Sequence, residues 1–252
     1  MTPILEVIGL RKSFGAIEAL RGVDLQLQPG EVLAIVGDNG AGKSTLIKHI
    51  SGVYRPDAGE VRLAGEMLNL ASPREARERG IETVYQDLAL ADDLSVGANI
   101  FLGREPIRRL AGILPFIDDR EIRKETVGLL SRIKSRIPQE ARTVARLSGG
   151  QRQAVAIARA IYWNAKVVIM DEPTAALAVM EREHVIQHAR DLAAHGSGVI
   201  YIGHNLTEIL RVANRILVMF RGRAVYVTNT EKTSQEELIK YMTGYNSSGQ
   251  AA

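Results

Sequence analysis

Residues 37–45, Gly-Asp-Asn-Gly-Ala-Gly-Lys-Ser-Thr, constrain this chain more than any other stretch. They follow the apolar run Val32–Val36 and open the helix-like stretch Leu46-Ile47-Lys48-His49-Ile50. A strand, a glycine-rich turn and a helix in that order form a cradle for phosphate. Glycine lets the backbone wrap an anion closely, and the N–H groups of the turn and helix start supply positive potential without a side chain. Gly37, Asp38, Asn39, Gly40, Ala41, Gly42, Lys43, Ser44 and Thr45 are therefore read as nucleotide-binding. Lys43 reaches the terminal phosphates, and the Ser44 hydroxyl meets a magnesium ion. A flexible glycine turn would not need all of these residues in register.

The rest of the chain supplies a suitable scaffold. Apolar runs predict strands at Ile4–Ile8, Val23–Leu27, Val32–Val36, Val61–Leu63, Glu82–Tyr85, Lys166–Met170, Gly198–Ile202, Arg215–Phe220 and Arg223–Val227. Helices are expected at Ser44–Ser51, Pro73–Arg79, Asp118–Ile133, Gly150–Trp163, Met180–His195, Leu206–Ala213 and Gln235–Met242. Their alternation predicts an α/β fold with a mostly parallel core sheet. The stretch from Ile4 to Leu27 looks antiparallel and is expected to form a small flanking β subdomain. Residues from about 88 to 146 are rich in charge and show no convincing strand. They are read as an inserted helical subdomain, with helices layered on the core sheet as the alternative. A disordered tail is expected over residues 244–252.

Composition excludes several classes. The chain has 252 residues and no cysteine, so disulfides, thiolate metal sites and cysteine nucleophiles are ruled out. A net charge of +3 does not point to a nucleic-acid binder. The N-terminal residues do not look like a signal peptide, and no apolar run approaches the length of a membrane span.

Two further motifs carry chemistry. Lys166–Met170 runs into Asp171-Glu172-Pro173-Thr174. In an open α/β sheet, ligands bind at the carboxyl ends of strands. Asp171 is thus placed to hold magnesium, and Glu172 to polarise an attacking water. Leu147-Ser148-Gly149-Gly150-Gln151 precedes an amphipathic run, so Ser148, Gly149, Gly150 and Gln151 make a second anion-binding helix start. Alone, the first pattern also suits a solvated turn and the second a plain capped helix. Their coincidence with the phosphate cradle favours the functional reading.

Together these motifs, in this order, resemble the ATP-binding cassette of an ABC transporter over nearly the whole chain, about residues 4–243. The resemblance implies a P-loop NTPase cassette that binds ATP and Mg2+. It implies that Phe14 stacks on adenine; read from its surroundings alone, Phe14 could equally be a core residue. It also implies that Gln86 meets the magnesium and the attacking water and links nucleotide state to the membrane partner. His204 would contact the γ-phosphate, making Glu172, His204 and Gln86 the catalytic set and Ser44, Gln86 and Asp171 the metal set. One departure is Ala178, where most cassettes carry an aspartate that helps one site sense the other. Gly203 also replaces a serine often seen before the histidine.

In the family's head-to-tail dimer, ATP lies between the phosphate loop of one copy and Ser148–Gln151 of another. Residues 37–48, 72–76, 80–88 and 172–177 further resemble the ATPases of bacterial monosaccharide importers of the fructose, ribose and xylose types. A single cassette points to the fructose-type branch. The implied partners are transmembrane permease subunits, a second cassette and, indirectly, an extracytoplasmic sugar-binding protein. The implied location is the cytoplasmic face of the inner membrane, peripherally held. The alternatives are an importer ATPase for another small solute, a soluble ABC ATPase acting on DNA or ribosomes, and a non-hydrolysing nucleotide binder.

Overall fold

The computed structural model describes residues 2–84, 88–110, 114–133, 137, 143–175 and 177–244. The first two strands, β1 (Leu5–Phe14) and β2 (Ile17–Leu27), pair antiparallel. Both run further than their apolar residues alone indicate. Register shifts after Val7, Leu10 and Lys12 carry the pairing through polar sequence, helped by Gly9 at φ 57° and Gly22 at φ 82°.

Next comes β3 (Val32–Val36), buried at every position, then α1 (Lys43–Ile50). β4 (Ala58–Leu63) and β5 (Glu66–Leu68) complete a four-stranded antiparallel sheet in the order β2-β1-β4-β5. This is the expected flanking β unit.

The chain continues through α2 (Pro73–Arg79) into β6 (Ile81–Val84). The region that looked free of strands holds α3 (Val96–Phe101), a hairpin of β7 (Ile107–Leu110) with β8 (Leu114–Ile117), and α4 (Asp119–Arg132). The hairpin corrects the expectation of helices alone. Ile107, Leu114, Phe116 and Ile117 are all exposed, so neither face is buried and no apolar–polar alternation marks the strands.

Beyond it come α5 (Gly149–Tyr162), β9 (Val167–Asp171), α6 (Val179–Ala194), β10 (Gly198–Ile202) and α7 (Leu206–Val212). The chain closes with β11 (Arg215–Phe220), β12 (Arg223–Asn229) and α8 (Gln235–Met242). The core sheet has the order β12-β11-β3-β10-β9-β6. All its pairings are parallel except β11 with β12. The architecture is thus the expected α/β class. Of the expected tail, residues 245–252 lie outside the described residues.

Alternation along the central strands divides the core in two. Ala34, Val168, Met170, Val199 and Tyr201 pack with α5 and α6 residues on one face. Leu33, Ile35, Ile169, Ile200 and Ile202 pack on the other with α1 and the antiparallel sheet. Because β3, β9 and β10 run parallel, their carboxyl ends open on one edge, and the loops that follow them meet there.

Within α1, His49 is buried; its Nδ1–H donates to the Thr45 carbonyl at 2.7 Å, while Nε2 is buried without a hydrogen-bond partner. Burial holds its pKa below the ordinary 6.5. The unfolded chain therefore binds the extra proton first, and stability falls as pH drops below about 6.5 until the folded pKa is passed. Urea midpoints should decrease between about pH 7.5 and about pH 5.5, and the decrease should be smaller in His49→Gln. An equal decrease in both proteins would clear His49 of that role.

Candidate nucleotide site

The loop between β3 and α1 is forced into shape by its glycines. Gly37, Gly40 and Gly42 have φ of 153°, 84° and 105°. A Cβ at Gly37 would lie 2.3 Å from the Met219 carbonyl oxygen, and one at Gly42 would lie 2.8 Å from that of Ala19. The loop thus passes directly under neighbouring backbone. Gly222 N–H donates to the Ala41 carbonyl at 2.9 Å, which ties the β11–β12 turn to it.

Lys43 folds back over the turn. Its ammonium donates to the carbonyls of Gly37 at 2.6 Å and Asp38 at 3.1 Å. Burial lowers the Lys43 pKa, opposed by the charges of Glu172, Asp38 and Asp171. Burial raises that of Asp171, and neighbouring Glu172 adds to the effect. A buried carboxylate crowded by a second one is stabilised by any nearby cation.

These groups share one groove of about 480 Å³, lined by residues 39–45, Asp171 and Glu172 together with Ile17, Ala19 and Arg221. The last three escaped sequence reading. Ile17 and Ala19 come from the start of β2 and Arg221 from the β11–β12 turn, and only the three-dimensional fold brings these segments to the loop. Glu172 has a φ of 47°, and its N–H donates to the Ile202 carbonyl at 3.0 Å. Its Oε2 lies 3.7 Å from Nδ1 of His204, whose side chain is 70% exposed.

Phe14 ends β1 at 43% exposure, edge-on to Tyr54 at 5.3 Å between ring centroids. It is therefore a surface aromatic rather than a core one. Gln86 lies outside the described residues. The segments on either side of it are joined by Arg159, which donates to Glu82 at 3.2 Å and to the Ala89 carbonyl at 3.3 Å.

The expected second anion-binding start, at α5, is built differently. Ser148 caps α5, accepting from the Gln151 N–H at 3.3 Å while the Gln151 side chain accepts from the Ser148 N–H at 3.0 Å. This reciprocal capping leaves Gly149 and Gly150 at the helix tip. Gly150 N–H donates to Glu181 at 3.2 Å, and the other Glu181 oxygen accepts from the Ala178 N–H at 3.3 Å. Alanine has no side-chain oxygen, so Glu181 does the capping at the start of α6. Among the described residues, Ser148–Gln151 do not line the groove of the phosphate loop. Within one chain the α5 start and the phosphate-loop groove therefore do not share a lining.

The sequence profile of the ABC transporter family matches residues 20–175. The chain belongs to the ATP-binding cassette family of ABC transporters. This cassette is an ATPase of that family. It is 46% identical over 245 residues to a xylose/arabinose import ATP-binding protein of Sulfolobus acidocaldarius, covering 97% of this chain and 96% of that protein. It is 45% identical over 247 residues to a fructose import ATP-binding protein of Rhizobium meliloti, covering 96% and 94%. A ribose import ATP-binding protein of Rubrobacter xylanophilus is 43% identical, but the cassette spans 48% of its length. Among solved structures, a nucleotide-free cassette from an ABC transporter superposes with a TM-score of 0.78 at 28% identity, covering 95% of this chain and 94% of that one. A dimeric cassette in a post-hydrolysis state with ADP and phosphate superposes at 0.74 and 26% identity, covering 90% and 98%.

The tight seat of Gly37 makes a direct prediction. Gly37→Ala should displace the loop and weaken ATP binding about tenfold or more, read by nucleotide titration on protein with native circular dichroism. Unchanged affinity would mean that the loop absorbs a methyl group freely.

Proposed function

We propose that this cassette is the ATP-hydrolysing subunit of an importer for a monosaccharide, working as a head-to-tail pair. The observation that carries the chemistry is the approach of Glu172, which lines the groove floored by the phosphate loop, to His204. The import ATP-binding names shared by its relatives support the cargo class.

In this reading the triphosphate lies along residues 37–45, with Lys43 on the terminal phosphates and Phe14 against adenine. Glu172 orients the attacking water, and His204 meets the γ-phosphate with Gln86 nearby. Hydrolysis then transfers the phosphoryl group to water. The Ser44 hydroxyl and the Asp171 carboxylate are hard oxygen donors on one groove wall, which fits magnesium held by few protein ligands and by substrate phosphate. Bound there, the ion would offset negative charge on the phosphates.

The other half of the charge stabilisation comes from a second copy. Its Ser148, Gly149, Gly150 and Gln151 would close over the γ-phosphate, which takes the place that Glu181 holds on the Gly150 N–H within one chain. A two-fold axis makes two such sites. The dimeric relative supports this arrangement.

Among the described residues no helix is long and apolar enough to cross a membrane. In the proposed complex, permease subunits hold the cassette at the cytoplasmic face of the inner membrane, and an extracytoplasmic sugar-binding protein delivers the cargo. The inserted segment, about 88–146, is assigned as the helical subdomain of the 4–243 cassette.

Glu172→Gln should keep ATP affinity and lose turnover by about 10²-fold or more in a phosphate-release assay. Turnover near that of the unaltered protein would remove Glu172 from its role. Phe14→Ala should weaken ATP binding by roughly 1–3 kcal/mol if the ring lies on the base. Reconstitution with the permease and the sugar-binding protein in vesicles, with ATP inside and a panel of sugars and non-sugar solutes outside, tests the cargo. Uptake of a non-sugar solute alone would overturn the sugar assignment.

A further inference from the structure

The cluster that the chemistry leaves unassigned centres on Glu208, in the first turn of α7. We propose that Glu208 is a positioning residue whose carboxylate locks the loop bearing Glu172 to the loop bearing His204. The proposal rests on the catalytic reading of those two residues.

Glu208 is 8% exposed, and both of its oxygens are engaged. Oε2 accepts from the Thr174 hydroxyl at 2.8 Å, two residues beyond Glu172. Oε1 accepts from Asn205 Nδ2 at 3.1 Å, the residue after His204, and from Arg182 Nη1 at 3.3 Å. Arg182 Nε donates in turn to the Leu177 carbonyl at 2.8 Å, at the far end of the Glu172 loop. Asn205 cannot swing away, because its Oδ1 accepts from the N–H groups of Thr207 and Glu208 at 3.1 and 3.3 Å. That bond also fixes which side of the amide faces Glu208.

One carboxylate thus gathers donors from the loop after β9, the cap of α7 and the first turn of α6. An ionised carboxylate only accepts, so a single group can draw three donors together. The strands beneath are already paired as far as Asp171 opposite Ile202, and the Glu172 N–H adds one bond to the Ile202 carbonyl. Beyond that point each loop is free to set its own height. Glu208 joins them there, next to the recess that Glu172 and His204 share. Two groups acting on one phosphate need their spacing held, since a misplacement of about 1 Å can cost about 10²-fold in rate.

The test measures kcat and KM for ATP, affinity for a non-hydrolysable ATP analogue and unfolding midpoint. It uses Glu208→Ala, Glu208→Gln, Glu172→Gln and the double variant Glu172→Gln/Glu208→Ala. Glu208→Ala should lower kcat roughly 10- to 100-fold while KM and analogue affinity stay within about twofold. Glu208→Gln should recover most of the loss. Its carbonyl can accept from Arg182 and Asn205 while its amide donates to the Thr174 hydroxyl. In the Glu172→Gln background the alanine change should alter residual turnover less than about twofold, because the group being positioned is already gone.

A folded Glu208→Ala protein with kcat near that of the unaltered chain overturns the proposal, as does an equal loss in Glu208→Gln or a full effect in the Glu172→Gln background. If Glu208→Ala does not fold, Thr174→Val removes one donor at similar volume and should lower kcat at constant KM; an unchanged kcat overturns the proposal equally. Rapid turnover by Glu172→Gln itself would instead strike at the catalytic reading, and the proposal would fall with it.

Discussion

Parallel pairing of β3 with β10, and of β10 with β9, fixes everything else about the site. The registers Ile35 to Ile202 and Ile202 to Asp171 bring three strand ends level. The phosphate loop leaves the first, the Asp171-Glu172 pair the second, and the His204 loop the third. None of these loops is long, so a slip of one residue in either pairing would separate Lys43 from Glu172 or Glu172 from His204. It would also turn each strand's side chains toward the wrong core. The alternating division of Val, Ile and Leu between the two cores is thus what holds the chemistry in line.

How legible this was in the amino-acid order varied with the range of the interactions. The runs 32–36, 167–170 and 198–202 are continuously apolar because both sheet faces are covered, and their strands match expectation almost to the residue. Gly37, Gly40 and Gly42 announce their backbone through the lack of a side chain. By contrast, the described side chains of β7 and β8 are all exposed, and Pro115 and two arginines obscure the pattern. Arg21 and Gly222 join the β1–β2 hairpin to the β11–β12 turn through a bond spanning nearly the whole chain. No local pattern signals such a contact. Glu181 and Glu208 look in sequence like ordinary helix carboxylates, and only their partners distinguish them.

The start of α6 shows how one missing group is replaced by its neighbours. Ala178 offers no oxygen for capping, yet the helix begins on schedule. Glu181 caps it from within, and Arg182 closes on the preceding carbonyl of Leu177. The same two side chains reach outward in opposite directions, one to Gly150 and the other to Glu208. A short piece of helix therefore touches both the start of α5 and the Glu208 cluster within a single chain. Alanine at position 178 thus does not leave the helix poorly anchored.

Glu172 carries a left-handed backbone, with φ 47°, that costs a side-chain-bearing residue and costs glycine little. A glycine there would relax the chain while deleting the carboxylate. On the proposed catalytic reading, thermal robustness and turnover pull in opposite directions here, and the sturdier chain would be the inert one. The bond from the Glu172 N–H to the Ile202 carbonyl holds that conformation in place.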